Sequence, residues 1–557
     1  MREKLERILK DAIDRAVKKG LLKNSSIPVV LEIPNRAEFG HFATNICLTA
    51  ASKEKMPPKE IAKILIDEME DKEGIIEKKE IAGPGFINFW IKDSAWRKEL
   101  LEVLSKGKDY GKQDIGRGKK IIVEFVSANP TGPLHIGHAR GAALGDTLCR
   151  ILSFLGYDVT REFYINDAGN QIRLLGESIY SRYRQMSDPD YPFPENGYHG
   201  NYIFELAEKI SKENNLDKME KEEAIEFCAE KGKEILLEQI RKDLEEFGVR
   251  FDSWFSERSL YKDGLVEKVL SEMKEKGLVY EKDSALWIKT TKYGDDKDRV
   301  VRKSDGQFTY FASDIAYHIE KKKRGFEKAI NIWGADHHGY VPRLKAALLS
   351  YGFPEDWLKI LLIQLVKLWK GGKEVKMSKR TGDFITFREL MNEVGVDAMR
   401  FVFLTKSHDS TLDFDIDIVK KKDPENPVYY VQYAHARICS IFRKAAQSNI
   451  NYRFPKEEEL NLLKLPEEIE LIRKVTEFPY VLKDIASSFE AHKLTYYLTS
   501  LASAFHKYFN LGTNSPEKRV ISDDKNLTIA RLSLIESVRI VISNGLYLLG
   551  VKAPEKM

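Results

Sequence analysis

The chain has 557 residues, 43% of them apolar, and its 90 Lys and Arg nearly balance 86 Asp and Glu to leave a formal net charge of +4. That length exceeds one hydrophobic core and predicts several domains. The charge balance excludes a generally basic nucleic-acid coat, and four widely spaced cysteines, Cys47, Cys149, Cys228 and Cys439, exclude both a C-x-x-C zinc site and a disulfide framework, leaving them as small buried residues.

In chain order, residues 2–13 open an amphipathic helix through Leu5, Ile8, Leu9, Ala12 and Ile13 in place of a secretory segment. No apolar run reaches membrane-spanning length, so a cytoplasmic location without membrane contact is expected. An apolar strand is predicted over 28–33, a helix from Pro58 carrying Ile61, Ile64 and Leu65, and an edge strand over 86–91, together a small α/β domain spanning 1–112 that ends in the polar, Gly-rich stretch 105–112. A larger α/β unit spans 113–415. It starts with a buried parallel strand at 121–126, a loop, and a helix through Leu144, Leu148, Ile151, Leu152 and Leu155; a second strand covers 158–165. A charged, mainly helical insertion is expected over about 187–291, with the sheet resuming at Ile330. The turn Asp423-Pro424-Glu425-Asn426-Pro427 then opens an all-helical domain, 424–557, whose aromatics at helical spacing, among them Tyr433, Tyr508 and Phe509, read as core. The predicted fold class is α/β: a Rossmann-like parallel-sheet domain with an N-terminal α/β add-on and an all-helical C-terminal domain.

The loop Pro130-Thr131-Gly132-Pro133-Leu134-His135-Ile136-Gly137-His138 carries the first chemistry. Its prolines hold off helix formation until about Leu134, while Gly132 and Gly137 admit close approach of a ligand to the backbone. A helix start offers unpaired amide donors and partial positive charge to a triphosphate. His135 and His138, three residues apart, share a side from which both could donate to an α-phosphate gaining charge in the transition state. Far downstream, Lys376-Met377-Ser378-Lys379 lies between Gly371-Gly372 and Gly382, a pattern for ammonium groups that close on departing β and γ phosphates. Either segment alone is usually local structure or solvated surface. Together they fit adenylate formation from ATP.

Residues 128–142 and Lys376-Met377-Ser378-Lys379 resemble the two signature motifs of class I aminoacyl-tRNA synthetases, and the whole chain resembles the bacterial-type arginyl-tRNA synthetases, with Arg380 where that family's second motif ends in serine and Met399 in its D-A-L-R element. The resemblance implies an arginine-tRNA ligase that uses ATP, with Mg2+ accompanying the nucleotide, and has L-arginine and tRNA as partners; a monomer is expected. It further implies catalytic roles for His135, His138, Lys376 and Lys379, and ATP contacts from Gly132, Gly137, His135, His138, Met377, Ser378 and Lys379. The N-terminal domain would contact the tRNA elbow, the helical tail would bind the anticodon, and activation would require bound tRNA.

A guanidinium fork calls for fixed carboxylates. Glu124 lies in the otherwise apolar first strand, where it needs either a ligand or a core ion pair, and Tyr310 and Asp314 share a helical face. The resemblance assigns Glu124, Asn129, His135, Tyr310 and Asp314 to arginine. Asp336 or His337 is expected near the arginine or the ribose, with Asp336 assigned to arginine, because Ile330–Trp333 leads to a polar turn at the carboxyl end of a strand. A metal at Asp336, His337 and His338 is disfavoured because adjacent side chains seldom converge on one ion. Rival readings are a cysteine-specific ligase, expected to show clustered metal ligands, a tRNA-binding protein without catalysis, expected to have lost His135, His138 or Lys379, and a nucleotidyltransferase, which has no need of a large helical tail. The basic runs 321–324 and 420–422 could face RNA, although such runs are more commonly solvated surface.

Overall fold

The computed structural model describes residues 1–24, 26–375 and 385–557. The expected positions Lys376, Met377, Ser378, Lys379 and Arg380 lie outside them.

A five-stranded, all-parallel sheet forms the centre. Its spatial order is Leu358–Ile363, Lys328–Gly334, Lys120–Glu124, Asp158–Ile165, Ser253–Ser256. The first strand in sequence, Lys120–Glu124, is flanked by the second on one side and by Lys328–Gly334 on the other. The order in which successive strands are added reverses there, and ligands of open α/β sheets collect at the carboxyl ends beside such a reversal. Burial on both faces explains the continuous apolar run at 121–123. The helix Ile136–Phe154 packs closely over that sheet because Gly145 leaves room: a Cβ there would lie 2.3 Å from the Phe125 ring.

Three expectations are revised. The run 28–33 makes only a single bridge, Glu32 to Ala43, since Pro28 and Pro34 bracket it without N–H groups, and the sheet position is taken by Phe42–Thr44. Phe86–Ile91 is the central strand of the N-terminal antiparallel sheet, not an edge, paired on both sides. Inside the span read as an insertion, Ser253–Ser256 already belongs to the main sheet, its four residues too short to carry a readable period. The helices Asn170–Gln185, Asn201–Glu213 and Lys221–Glu246 pack around a small core of their own.

The C-terminal helices Pro427–Gln447, Pro466–Ser488, His492–Asn514 and Lys525–Leu549 pack together, and the last also packs on Asp93–Lys106 and Ile136–Phe154. Among the described residues, Lys525–Leu549 alone is long and apolar enough to cross a membrane, but 78% of its apolar window is buried inside the protein, as in a core helix. All four cysteines are free and buried.

Candidate active site

The strand Lys120–Glu124 leads into a strained turn, with Val126 at φ 67° and Ser127 at φ 39°, conformations costly for residues with a Cβ. The turn has local support. Tyr164 N–H donates to Ser127 Oγ at 3.1 Å, and Asn166 Nδ2 donates to the Ser127 carbonyl at 3.3 Å. The loop beyond it is held by Tyr202, whose hydroxyl donates to the Thr131 carbonyl at 2.8 Å and would lie 3.0 Å from any Cβ at Gly132.

His135 caps the helix Ile136–Phe154. Gly137 N–H donates to His135 Nδ1 at 3.1 Å, and His135 N–H donates to His138 Nδ1 at 3.2 Å, a reciprocal capping box built from two imidazoles. Their rings stack with centroids 3.7 Å apart. A neutral imidazole that accepts at Nδ1 carries its proton on Nε2, so the network assigns both rings as Nε2–H donors. The same loop meets the chain just beyond the second motif. His135 forms an antiparallel bridge with Thr386, and Phe387 N–H donates to the Leu134 carbonyl at 2.9 Å. Thr386 is itself the capping residue of the helix Phe387–Val394.

Acids gather at the carboxyl end of the sheet. Glu124 is 5% exposed and pairs with Lys321 Nζ at 2.6 Å, while its second oxygen accepts a long 3.3 Å bond from Ser127 Oγ. Lys321 also donates to Asn331 Oδ1 at 3.2 Å, and Asn331 is the register partner of Glu124 across the sheet. Asp314 accepts from the Tyr340 hydroxyl. Burial pushes the Asp314 carboxyl up to about 7, aided by the charge of Glu124 and opposed by the Tyr340 bond. Glu257 is likewise pushed up to about 7, first by burial and then by the charges of Asp314 and Asp167. Asp167 is held by Ser256 Oγ at 2.8 Å and by the Arg258 N–H at 3.0 Å. Like charges that raise one another in this way favour a cation.

Of the other expected residues, Tyr310 is 67% exposed at the start of its helix, its hydroxyl 3.1 Å from where a Cβ at Gly169 would sit. Asn129 donates to Gln171 Oε1 at 2.7 Å. Asp336 stands apart from the acids: its side chain is 83% exposed and turns back beside Gly334 and His337. From the same short turn it is Tyr340 that reaches Asp314. The run 321–324 is only half solvated: Lys322 and Lys323 are exposed, but Lys321 is fully buried on Glu124 and Arg324 grips Glu162 at 2.6 and 2.9 Å. A helix ending in four consecutive cations turns one of its faces inward, which charge counting along the sequence does not register. Lys321, Tyr340, Glu257 and Asp167 were all missed; a buried acid's need for a cation was the available signal for Lys321.

A second cavity, about 820 Å³, lies between the helices Pro427–Gln447 and His492–Asn514. Lys444, Lys518, Arg519 and Lys556 line it, and Arg437 lies between the rings of Tyr433 and Phe509 at 4.5 and 4.6 Å. Tyr508 is core and Phe509 packs against it, as expected, while Tyr433, Tyr508 and Phe509 also border this basic cavity.

The parallel sheet, the capped imidazole loop at its reversal point and the helical C-terminal domain define a class I aminoacyl-tRNA synthetase. The family model "tRNA synthetases class I (R), catalytic domain" matches residues 99–417, "Arginyl tRNA synthetase N terminal domain" matches 3–91, and "DALR anticodon binding domain" matches 431–557. The chain belongs to the arginyl-tRNA synthetase family. It is 48% identical to an arginine–tRNA ligase of Desulfosudis oleivorans over 562 residues, covering 100% of both chains, and 46% identical to one of Aquifex aeolicus, covering 99% of this chain and 100% of the relative. The solved Thermus thermophilus arginyl-tRNA synthetase shares its fold, with a TM-score of 0.77 over 99% of this chain and 100% of that one at 23% identity.

Proposed function

We propose that this chain joins L-arginine to its tRNA at the expense of ATP. An arginine carboxylate oxygen attacks the α-phosphorus, the bond to the diphosphate oxygen breaks, and arginyl-adenylate forms. A ribose hydroxyl of the tRNA 3′ end then attacks the arginyl carbonyl, losing its proton, and AMP leaves. The observation that carries this reading is the acidic group at the carboxyl end of the sheet, where Glu124 and Asp314 lie near one ammonium, Lys321, and Glu257 is raised by Asp314, at the foot of the loop that presents two Nε2–H imidazoles.

In this reading Asp314 and the Glu124 oxygen turned away from Lys321, held only by a long bond from Ser127, grip the guanidinium, with Tyr310 and Asn129 completing the pocket. His135 and His138 stabilise the charge that develops on the α-phosphate. Gly132 and Gly137 let the loop approach the nucleotide, and Lys376, Met377, Ser378 and Lys379 would meet the phosphates; the Thr386 bridge to His135 supports that closeness. ATP would enter as its magnesium complex, with phosphate oxygens supplying ligands to the ion. A neutral isostere such as citrulline would leave the acids unpaired, and discrimination on the order of 10⁴ needs no editing site. In this reading the domains span 1–112, 113–415 and 424–557. The basic, aromatic cavity suits a splayed anticodon base, and a cytoplasmic monomer is the expected state.

The test is charging of purified tRNA with each amino acid in turn. Arginine alone should be esterified; esterification of another amino acid, or of none, overturns the reading.

A further inference from the structure

Arg400, on the helix Val396–Phe403, is fully buried and makes no exposed ion pair; its Nε bonds across to the C-terminal domain while its terminal nitrogens bond within the catalytic domain. Its Nε donates to the Leu549 carbonyl at 2.8 Å, one terminal nitrogen to the Phe247 carbonyl at 3.1 Å, and the other to Asp146 at 2.6 Å. Asp146 lies on the helix capped by His135 and also takes Arg150 at 2.6 Å; Arg150 in turn donates to the Tyr547 carbonyl at 3.4 Å. Two arginines anchored on one catalytic-domain carboxylate thus hold the last carbonyls of the helix Lys525–Leu549, where cations are favoured.

The chain leaves that helix as a strap. Gly550 adopts φ 68°, and a Cβ there would lie 2.4 Å from the Arg400 guanidinium. Lys552 N–H donates to Asp397 at 3.2 Å, and Gln432 Nε2 ties Asp397 and the Lys552 carbonyl together at 3.0 and 2.8 Å. His435 then holds the Pro554 carbonyl at 2.8 Å, Arg443 holds that of Glu555 at 3.2 Å, and Lys556 and Met557 form part of the wall of the basic cavity. A connected series of hydrogen bonds, an ion pair and one close packing contact therefore runs from the cavity wall to the helix that carries His138.

We propose that the strap 550–557 transmits occupancy of the basic cavity to the helix bearing His138, with Asp146 and Arg400 as positioning residues for adenylate formation. The proposal rests on the functional reading above. A ligand that moves Lys556 and Met557 shifts the strap, and the close fit of Gly550 on Arg400 leaves no slack to absorb the shift. Because Arg400 is fully buried and holds Asp146 at 2.6 Å, a displacement of Arg400 is felt at Asp146.

The full chain carrying Gln432→Ala, Arg400→Lys, or both would be measured by tRNA-supported, arginine-dependent ATP–pyrophosphate exchange, tRNA binding and thermal melting. Gln432→Ala is expected to lower the exchange kcat about tenfold, with tRNA Kd and the KM for arginine within about twofold of the parent. The double variant should fall no further than Arg400→Lys alone, since both would cut one route. Full exchange kcat in Gln432→Ala, a loss confined to tRNA Kd, or a double variant whose losses multiply would overturn the proposal. A loss of kcat in Gln432→Ala that only tracks a lowered melting temperature would overturn it too. If the parent chain itself shows no arginine-dependent exchange, the functional reading fails instead.

Discussion

The carboxylate of Glu124 and the ammonium of Lys321 meet at 2.6 Å although 197 residues separate them in sequence. The pair ties the first strand of the sheet to the helix that carries Asp314, so the floor of the acidic pocket is fixed before any ligand enters. Lys321→Met would leave Glu124 buried without a counter-charge and is expected to cost about 3–5 kcal/mol of stability. Chemical denaturation checks this, and adding Glu124→Gln should recover part of the loss.

The ionisation of Asp314 gives the site a pH dependence. Its folded-state value, about 7, lies above that of an unfolded aspartate. The folded chain therefore holds a proton that the unfolded chain has lost; the group's stabilisation is complete below about pH 4 and declines as pH rises to about 7. Asp314→Asn should accordingly raise the melting temperature more at alkaline than at acid pH. Arginine makes the opposite demand, because the cation prefers the ionised acid.

It follows that the KM for arginine should fall several-fold between about pH 6 and 8. Asp314→Asn should weaken arginine binding and remove part of that slope, and Glu257→Gln in addition should remove the rest. Steady-state kinetics across this range would decide; an unchanged slope in the double variant excludes these two acids from arginine binding.

His138 serves both as a partner in the helix cap and as an Nε2–H donor. His138→Ala should lower the adenylation kcat by about 10²–10³ while substrate binding changes much less. Loss of the cap should cost only about 1 kcal/mol. Rapid-quench adenylation and calorimetry separate the two effects.

In the basic cavity, Arg437 between Tyr433 and Phe509 is placed for an RNA base or phosphate. Arg437→Ala should raise the KM for tRNA about tenfold and reduce the salt slope of tRNA binding by about 1 if the contact is to phosphate. Arginine-dependent kinetics at saturating tRNA should be unaffected.

Local order was legible along the chain. Pro130, Gly132, Pro133 and the apolar run before them announce a strand, loop and helix, because these residues restrict the backbone whatever surrounds them. His135 and His138 were visible as a pair for the same reason: three-residue spacing on a helix is local geometry. The sequence by itself determined the residue types on offer: two histidines three apart at a helix start, an acid at the end of the first strand and a tyrosine and an acid sharing one helical face.

Only the tertiary structure decided which of those groups meet. Asp336 was placed near arginine by its position after a strand, yet the turn points it outward and brings Tyr340 to Asp314 instead. Lys321 looked like one of four solvated cations and is the buried partner of Glu124. The physical reason is the same in both cases. Backbone conformation depends on neighbours in sequence, which any chain displays, whereas burial and charge pairing depend on neighbours in space, which parallel strands and long crossovers draw from positions hundreds of residues apart.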